Sequence, residues 1–316
     1  MLRSLKHMVR DHLPYSLLLP LYYWRARRTF QPLHEKAHRR AGFKRLQDCD
    51  LGSVKRSDVL FVLGSGASIN QITAERWAAI AAHDSVGFNF WPIHPFVPRM
   101  YFFESNPADF YPEHDRRLLQ VLTERAADYE DTLKVVMDIA NPAHQYIFDL
   151  PEEFRRATYS AETIRLIARD RQELAEGIRR LAERGEFARS DHVGALLKVT
   201  GTLSTMITLG VCMGYRKIVL CGVDLTRAEY FYQDPVLYPE TAQLEYMPRT
   251  GKHFTLTRYA WGTMPIDEVV AELKQQVLDP AGVELYVENR SSALWPNIAE
   301  VPGALLELAG AGRAAR

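Results

Sequence analysis

Cysteine is scarce: Cys49, Cys212 and Cys221 are the only three in 316 residues. An odd count without ligand-type spacing excludes a disulfide framework and a zinc knuckle, and fits a reducing compartment, here the cytoplasm. Net charge is absent as well, with 39 basic and 39 acidic side chains, so no overall field marks nucleic acid as a partner. No apolar run reaches membrane-spanning length. The nearest, "LPYSLLLPLYYW" at 13–24, is too short, contains Pro14 and Pro20, and is not followed by a small-residue cleavage site, so neither a transmembrane helix nor a signal peptide is expected. His83, His94, His114, His144 and His192 are scattered and form no helical ligand pair, which argues against a metal enzyme. The one Asp-x-Asp, Asp48 and Asp50, precedes the first expected sheet strand and reads as chain entry rather than a metal site.

What is present is a chain 47% hydrophobic, enough for one large core or two modest ones. Charge is uneven along it. Residues up to 46 carry Arg3, Lys6, Arg10, Arg25, Arg27, Arg28, Lys36, Arg39, Arg40, Lys44 and Arg45 against only Asp11 and Glu35. This basic arm, residues 1–55, suits an anionic lipid surface or subunit contacts in a homo-oligomer. Beside it, 13–24 suits either a peripheral patch on the inner membrane or a segment packed on the protein's own core.

Beyond the arm, short apolar runs alternate with helical patterns. Strands are expected over 58–63, 85–90, 99–103, 132–139, "KIVLCGVD" and "VELYVEN"; helices over 73–82, with Thr73 as cap, 202–213 and 266–278. The charged stretch 151–190 reads as helical, giving a small lid over 151–195 between one α/β half at 56–150 and another at 196–316. Together these predict an α/β fold with a doubly wound, mostly parallel sheet, whose ligands belong at the carboxyl ends of the strands.

Candidate site residues follow from that placement. "GSGAS" closes the first sheet strand: Gly64 and Gly66 let a phosphate approach, Ser68 adds a hydroxyl, and a following helix start offers amides. The turn is neither a Walker loop nor a full dinucleotide fingerprint. Asn89 and Glu104 close the next two strands; Asn89 suits a sugar hydroxyl or a cytosine edge, and Glu104 a ribose or an acceptor hydroxyl. In "TGTLSTMITLGVCMGYRKIVLCGVDLTRAEYFY", Thr200, Gly201, Thr202 and Ser204 open a helix, and Asp224 and Thr226 follow a buried strand.

This last stretch resembles the corresponding part of bacterial sialyltransferases of glycosyltransferase family 42. "GSGAS" looks like that family's G-N-G-P-S loop, "FNFW" like its C-N-Q-F segment, "GKHFT" like the segment bearing the catalytic histidine, and "ELYVENRSSALWPNI" like its final strand and cytidine-contacting loop. The resemblance covers roughly 58–300, apart from much of 107–190. It implies a modified Rossmann (GT-A-like) fold and an inverting, metal-independent transfer of sialic acid or a related sugar. The donor would be a CMP-sugar, with no cofactor, and the acceptor a bacterial lipopolysaccharide or capsule glycan, free or lipid-linked. Carried over by residue, His253 is the general base, Tyr232 donates to the leaving phosphate with Tyr230 beside it, Thr202 approaches the donor, and Asn289, Ser291 and Ser292 contact cytidine. Thr226 stands where the family has its other tyrosine, so the phosphate is held differently or Arg227 contributes. Ser65 stands where the family has Asn, and Glu104 where it often has Asn. Two other functions remain open: a magnesium-dependent nucleotide pyrophosphokinase or phosphotransferase, for which Asp224 and Glu229 are the only carboxylate pair, and a catalytically inactive glycan-binding module.

Overall fold

The computed structural model describes residues 12–104, 112–137, 146–193, 195–244, 251–256 and 264–306; Arg3, Lys6, Arg10 and His144 lie outside them. The helices are α1 (Tyr15–Ala41), α2 (Leu51–Val54), α3 (Ala74–Ala81), α4 (Pro112–Glu124), α5 (Glu152–Arg156), α6 (Arg171–Glu183), α7 (Gly201–Cys212) and α8 (Ile266–Leu273). The strands are β1 (Lys44–Arg45), β2 (Val59–Leu63), β3 (Asp84–Phe88), β4 (Met100–Glu104), β5 (Leu133–Met137), β6 (Thr158–Arg165), β7 (Ala195–Lys198), β8 (Lys217–Cys221), β9 (Glu284–Val287) and β10 (Ala299–Glu300). They form one sheet in the order β1-β6-β5-β4-β3-β2-β8-β9-β10, with β7 beside β6.

Neighbouring strands in this sheet run parallel. A parallel sheet needs cover on both faces, and side chains that alternate between the faces must then all be apolar. β2 satisfies this: Leu60 and Val62 join the apolar cluster on one face, with Met206 of α7 and Val269 of α8. Val59, Phe61 and Leu63 join the cluster on the other, with Ile80 of α3 and Leu118 of α4. β4 divides the same way, Met100 and Phe102 against Tyr101 and Phe103. This is the doubly wound α/β arrangement expected from the alternating pattern.

The expected helix over 73–82 is α3, whose cap Thr73 accepts the Arg76 amide at 3.4 Å. The helix expected to Leu278 is α8 continued by a wider turn over Lys274–Leu278.

The 151–195 segment departs from the helical lid expected of it. Its residues 158–165 form β6, which pairs with β5, β1 and β7, and α6 packs on the sheet with Leu174, Ile178 and Leu181 buried. Its charged residues conceal this, since only one flank of β6 is buried deeply: Thr158, Ser160 and Ala161 are inside, while Glu162 to Ile164 are half-buried. The described part of the N-terminal arm, from residue 12, also belongs to the body of the fold. β1 extends the sheet through Lys44 and Arg45, and Asp50 caps α2 by accepting the Ser53 amide at 3.3 Å. Segment 13–24 is divided by face: Tyr15, Leu18 and Leu19 are buried in the core, whereas Leu17, Leu21 and Trp24 are exposed. No helix among the described residues is long and apolar enough to cross a membrane.

Chain direction reverses at β2. From there the chain steps outward through β3, β4, β5 and β6, then returns to lay β8 and β9 on the other side. The loops leaving β2 and β8 therefore diverge above one seam, the position at which open parallel sheets bind ligands. They are stitched together below it: the Gly64 amide donates to the Cys221 carbonyl at 2.8 Å, Gly66 to Gly222 at 2.8 Å, and Phe231 to Ser65 at 2.9 Å. Replacing Gly66 by Ala should destabilise the protein by about 1–3 kcal/mol through overpacking. The added Cβ would lie 2.6 Å from an Asp224 carboxylate oxygen, while φ at Gly66 is an ordinary −66°. Urea denaturation checks the loss, and an unchanged midpoint would mean that the seam is slack.

Candidate functional site

A crevice of about 250 Å³ lies above the β2–β8 seam. Its floor is the stitched pair of loops, with Gly64, Ser65 and Gly66 from the first and Gly222 to Leu225 from the second. The glycines of "GSGAS" are explained by that stitching. A Cβ at Gly64 would meet the Gly222 carbonyl oxygen at 2.6 Å, and one at Gly66 would meet Asp224. Their lack of a side chain serves the close approach of the two loops, and the backbone left bare there also faces the crevice. Ser68 does not reach it. Its amide donates to Asp224 Oδ2 at 2.9 Å and its hydroxyl to Asp224 Oδ1. The chain after the turn is a short 3-10 segment, Ala67–Gln71, whose Ser68 amide is spent on Asp224 and whose Ile69 amide is spent on the Gly66 carbonyl.

A helix start does face the crevice, but it is that of α7. Thr200, Gly201, Thr202 and Leu203 line one wall, and no side chain caps the helix. First-turn amides lack partners within their own helix, and they carry the positive end of its dipole. Thr200 is tied down by donating to the Met264 carbonyl at 2.6 Å. Ser204 is fully buried, accepts the Val199 amide at 3.1 Å and donates to the Gly201 carbonyl at 3.1 Å, so it shapes the helix start and does not line the site.

Asn89 and Glu104 line the crevice at the ends of β3 and β4. Asn89 has a left-handed backbone, φ 54°, fixed by its amide donating to Phe102 at 2.9 Å and by Tyr101 Oη donating to its carbonyl at 2.6 Å. Strained backbone of this kind clusters at ligand sites. The Glu104 carboxylate accepts from Lys198 Nζ and the Thr202 hydroxyl, which offsets its charge.

The far wall carries the reactive groups. His253 is held by its amide donating to the carbonyl of Leu225 at 3.0 Å, a residue itself in the left-handed region at φ 60°. Its Nδ1 lies 2.8 Å from the Thr255 hydroxyl, with the Thr255 amide donating to it at 3.3 Å, and its Nε2 lies 3.2 Å from the Tyr230 hydroxyl. The Thr255 amide can only donate, so in this geometry Nδ1 accepts and the ring proton sits on Nε2, facing the Tyr230 oxygen. The other tautomer, with Nδ1–H donated to the Thr255 hydroxyl, would leave Nε2 with a lone pair. Burial lowers the His253 pKa to about 4, so the ring is neutral at pH 7. Tyr230 stacks on Tyr232 at 5.2 Å with the rings 8° from parallel, and Tyr232 packs on Phe90 at 5.4 Å. An antiparallel bridge between Gly66 and Tyr230 joins this wall to the floor. With His253 neutral, Arg227 is the one cationic side chain among the described residues that line the crevice.

Thr226, Asn289, Ser291 and Ser292 are not among the lining residues. The Thr226 hydroxyl donates to the Ser291 carbonyl at 3.1 Å, Ser292 is buried and donates to the Val223 carbonyl at 2.6 Å, and Asn289 accepts the Ser291 amide at 2.9 Å. These four brace the outside of the loop after β8. Conversely, Thr255 and Lys198 were not singled out in the sequence. Lys198 was within reach of inference, since it ends an apolar run just before "VTGT"; Thr255 carried no signal beyond its nearness to His253. Among the described residues, no three His, Cys, Asp or Glu side chains converge as metal ligands would.

Comparison with protein-family models, with curated proteins and with solved structures gives no match to this chain.

The His253 pKa has a measurable consequence. The folded value lies below the unfolded 6.5, so the unfolded chain binds the proton more readily and stability falls as pH drops from about 6.5 towards 4. Imidazole NMR titration should find His253 neutral down to about pH 5, and His253→Gln should lessen the acid-induced loss of stability. A titration midpoint near 6.5 would show an exposed, unperturbed ring.

Proposed function

We propose that the crevice binds a CMP-activated sugar and that the chain is an inverting, metal-independent glycosyltransferase, moving sialic acid or a related sugar onto a hydroxyl of a bacterial surface glycan. The observation that carries this reading is the pairing, within one crevice, of a neutral, half-buried imidazole hydrogen-bonded to tyrosine with an uncapped helix start and a cation. The first arrangement suits proton removal from an acceptor. The second suits a phosphate on which negative charge grows as the sugar departs.

The reaction needs one displacement. His253 reacts in its other tautomer: the hydrogen bond from the Thr255 amide to Nδ1 is given up, Nδ1–H donates to the Thr255 hydroxyl, and Tyr230 turns away from Nε2. Nε2 then takes the acceptor hydroxyl proton as the acceptor oxygen bonds to the anomeric carbon. The bond from that carbon to the phosphate oxygen breaks, and its electron pair stays with the phosphate. Arg227, the first-turn amides of α7 and the hydroxyls of Tyr230 and Tyr232 are the groups at hand to meet that charge. Ser65, Asn89 and the Glu104–Thr202 pair are available to the nucleoside and sugar hydroxyls. Arg227 takes the part that the resemblance gives to a tyrosine at 226, because Thr226 is turned onto Ser291.

A magnesium-dependent phosphotransferase is less well supported, because the Asp224 carboxylate that it would need is already bonded to both the amide and the hydroxyl of Ser68. An inactive binding module would have no use for the Thr255–His253–Tyr230 alignment. In the favoured reading the chain works as a peripheral protein on the cytoplasmic face of the inner membrane, where lipid-linked glycans are presented.

The test is release of free CMP from a panel of CMP-sugars in the presence of chelator. One donor should turn over, and His253→Ala should lower kcat by about 10²–10⁴-fold. Arg227→Ala should weaken donor use by roughly 10–100-fold, the worth of a charge-assisted hydrogen bond. Thr226→Val should leave the rate unchanged. Undiminished turnover by His253→Ala, or strict dependence on magnesium, would remove the proposal.

A further inference from the structure

The outer face of α1 combines two features that the crevice does not explain. In a helix of 3.6 residues per turn, positions i, i+4, i+7 and i+11 fall on one side. Leu17, Leu21, Trp24 and Arg28 have that spacing, and the three apolar ones are 59%, 46% and 56% exposed. Outside α1, the only exposed large apolar side chains among the described residues are Val236, Leu237 and Trp295. Tyr15, Leu18 and Leu19 occupy the opposite side of the helix and are buried. The helix cannot roll to hide the outer stripe, because Tyr15 Oη sits so tightly on α6 that any side chain at Gly177 would collide with it.

Arginine predominates on this side, and Glu35, five turns from Leu17 on the same side, has its charge offset by Arg45. Arg28 lies with its guanidinium 5.1 Å from the Trp24 ring centroid, and Arg25 and Arg39 are exposed within about a quarter turn of the stripe. Glu35 is the only acidic residue of α1. An apolar stripe ending in tryptophan and flanked by arginines matches the layered chemistry of an anionic bilayer surface. Leu17 and Leu21 would enter the acyl boundary, Trp24 would sit at headgroup level, and the arginine stems would reach back to lipid phosphates.

We infer that the outer face of α1 docks on an anionic lipid bilayer, with the helix lying in the plane of the interface and its inner face still packed on the sheet. The inference rests on the geometry of α1 alone, whatever reaction the crevice performs.

Co-sedimentation of the full chain with vesicles decides it. Vesicles of phosphatidylglycerol mixed with phosphatidylcholine should pellet the protein, and phosphatidylcholine alone should not. Leu21→Glu combined with Trp24→Glu should abolish pelleting. Arg28→Glu with Arg39→Glu should weaken it by about tenfold or more, since each basic side chain near the surface contributes on the order of fivefold. Val236→Glu, which removes an exposed apolar side chain elsewhere, should change nothing. Thermal melting of each variant separates lost docking from lost folding, and because the sites are exposed the melting points should stay within a few degrees. The inference fails if the wild-type chain ignores anionic vesicles, or pellets equally with neutral ones. It fails equally if light scattering shows a dimer that Leu21→Glu splits while vesicles go unbound, because the stripe is then a subunit contact.

Discussion

Two loops that leave neighbouring strands must touch without either carrying a side chain at the contact, and the candidate site depends on this constraint. β2 and β8 meet where the chain reverses direction across the sheet. Their exits are joined by backbone hydrogen bonds between Gly64 and Cys221, Gly66 and Gly222, and Phe231 and Ser65. Asp224 locks the join by accepting from both the amide and the hydroxyl of Ser68. A buried carboxylate is tolerable only with such donors, and hydrogen bonds to a charged group are each worth about 1.5–3 kcal/mol. Once the loops are fixed, the Leu225 carbonyl is fixed, and it receives the His253 amide. The imidazole, Tyr230 and the crevice floor therefore form one rigid unit.

The sheet was legible in the sequence wherever strands are buried on both faces. "VLFVL" and "KIVLC" are apolar at every position, or nearly so, because a parallel strand covered by helices leaves no side for polar residues. β6 was not legible for the opposite reason. Ser160 and Glu162 lie in a strand near the sheet margin, between two stretches of helix-favouring composition, and the pairing with β1, β5 and β7 that makes it a strand comes from residues far away in sequence. The amphipathic segment at 13–24 was ambiguous between core and surface because both are true, on opposite faces of one helix.

Legibility of the site divided along similar lines. Residues at strand ends, such as Asn89, Glu104 and the Thr200–Thr202 helix start, reach the crevice, since topology alone carries them there. Side chains whose roles depend on a distant partner were misread: Ser68 is claimed by a carboxylate 156 positions later, and Thr226 and Ser292 are claimed by backbone carbonyls. The glycine turn shows the limit most plainly. A missing Cβ can make room for a phosphate or for another loop, and only the position of Gly222 and Asp224 tells which.

Among the described residues, Arg227 and the start of α7 are the two electropositive features of the crevice, and they belong to different elements that converge only because of the seam. The measurement that tests this account most directly is a crystal structure of the protein with CMP bound. The phosphate should lie within hydrogen-bonding distance of Arg227 and the first-turn amides of α7, with its free side towards His253. A nucleotide bound elsewhere, or with its phosphate pointing away from α7, would contradict the account.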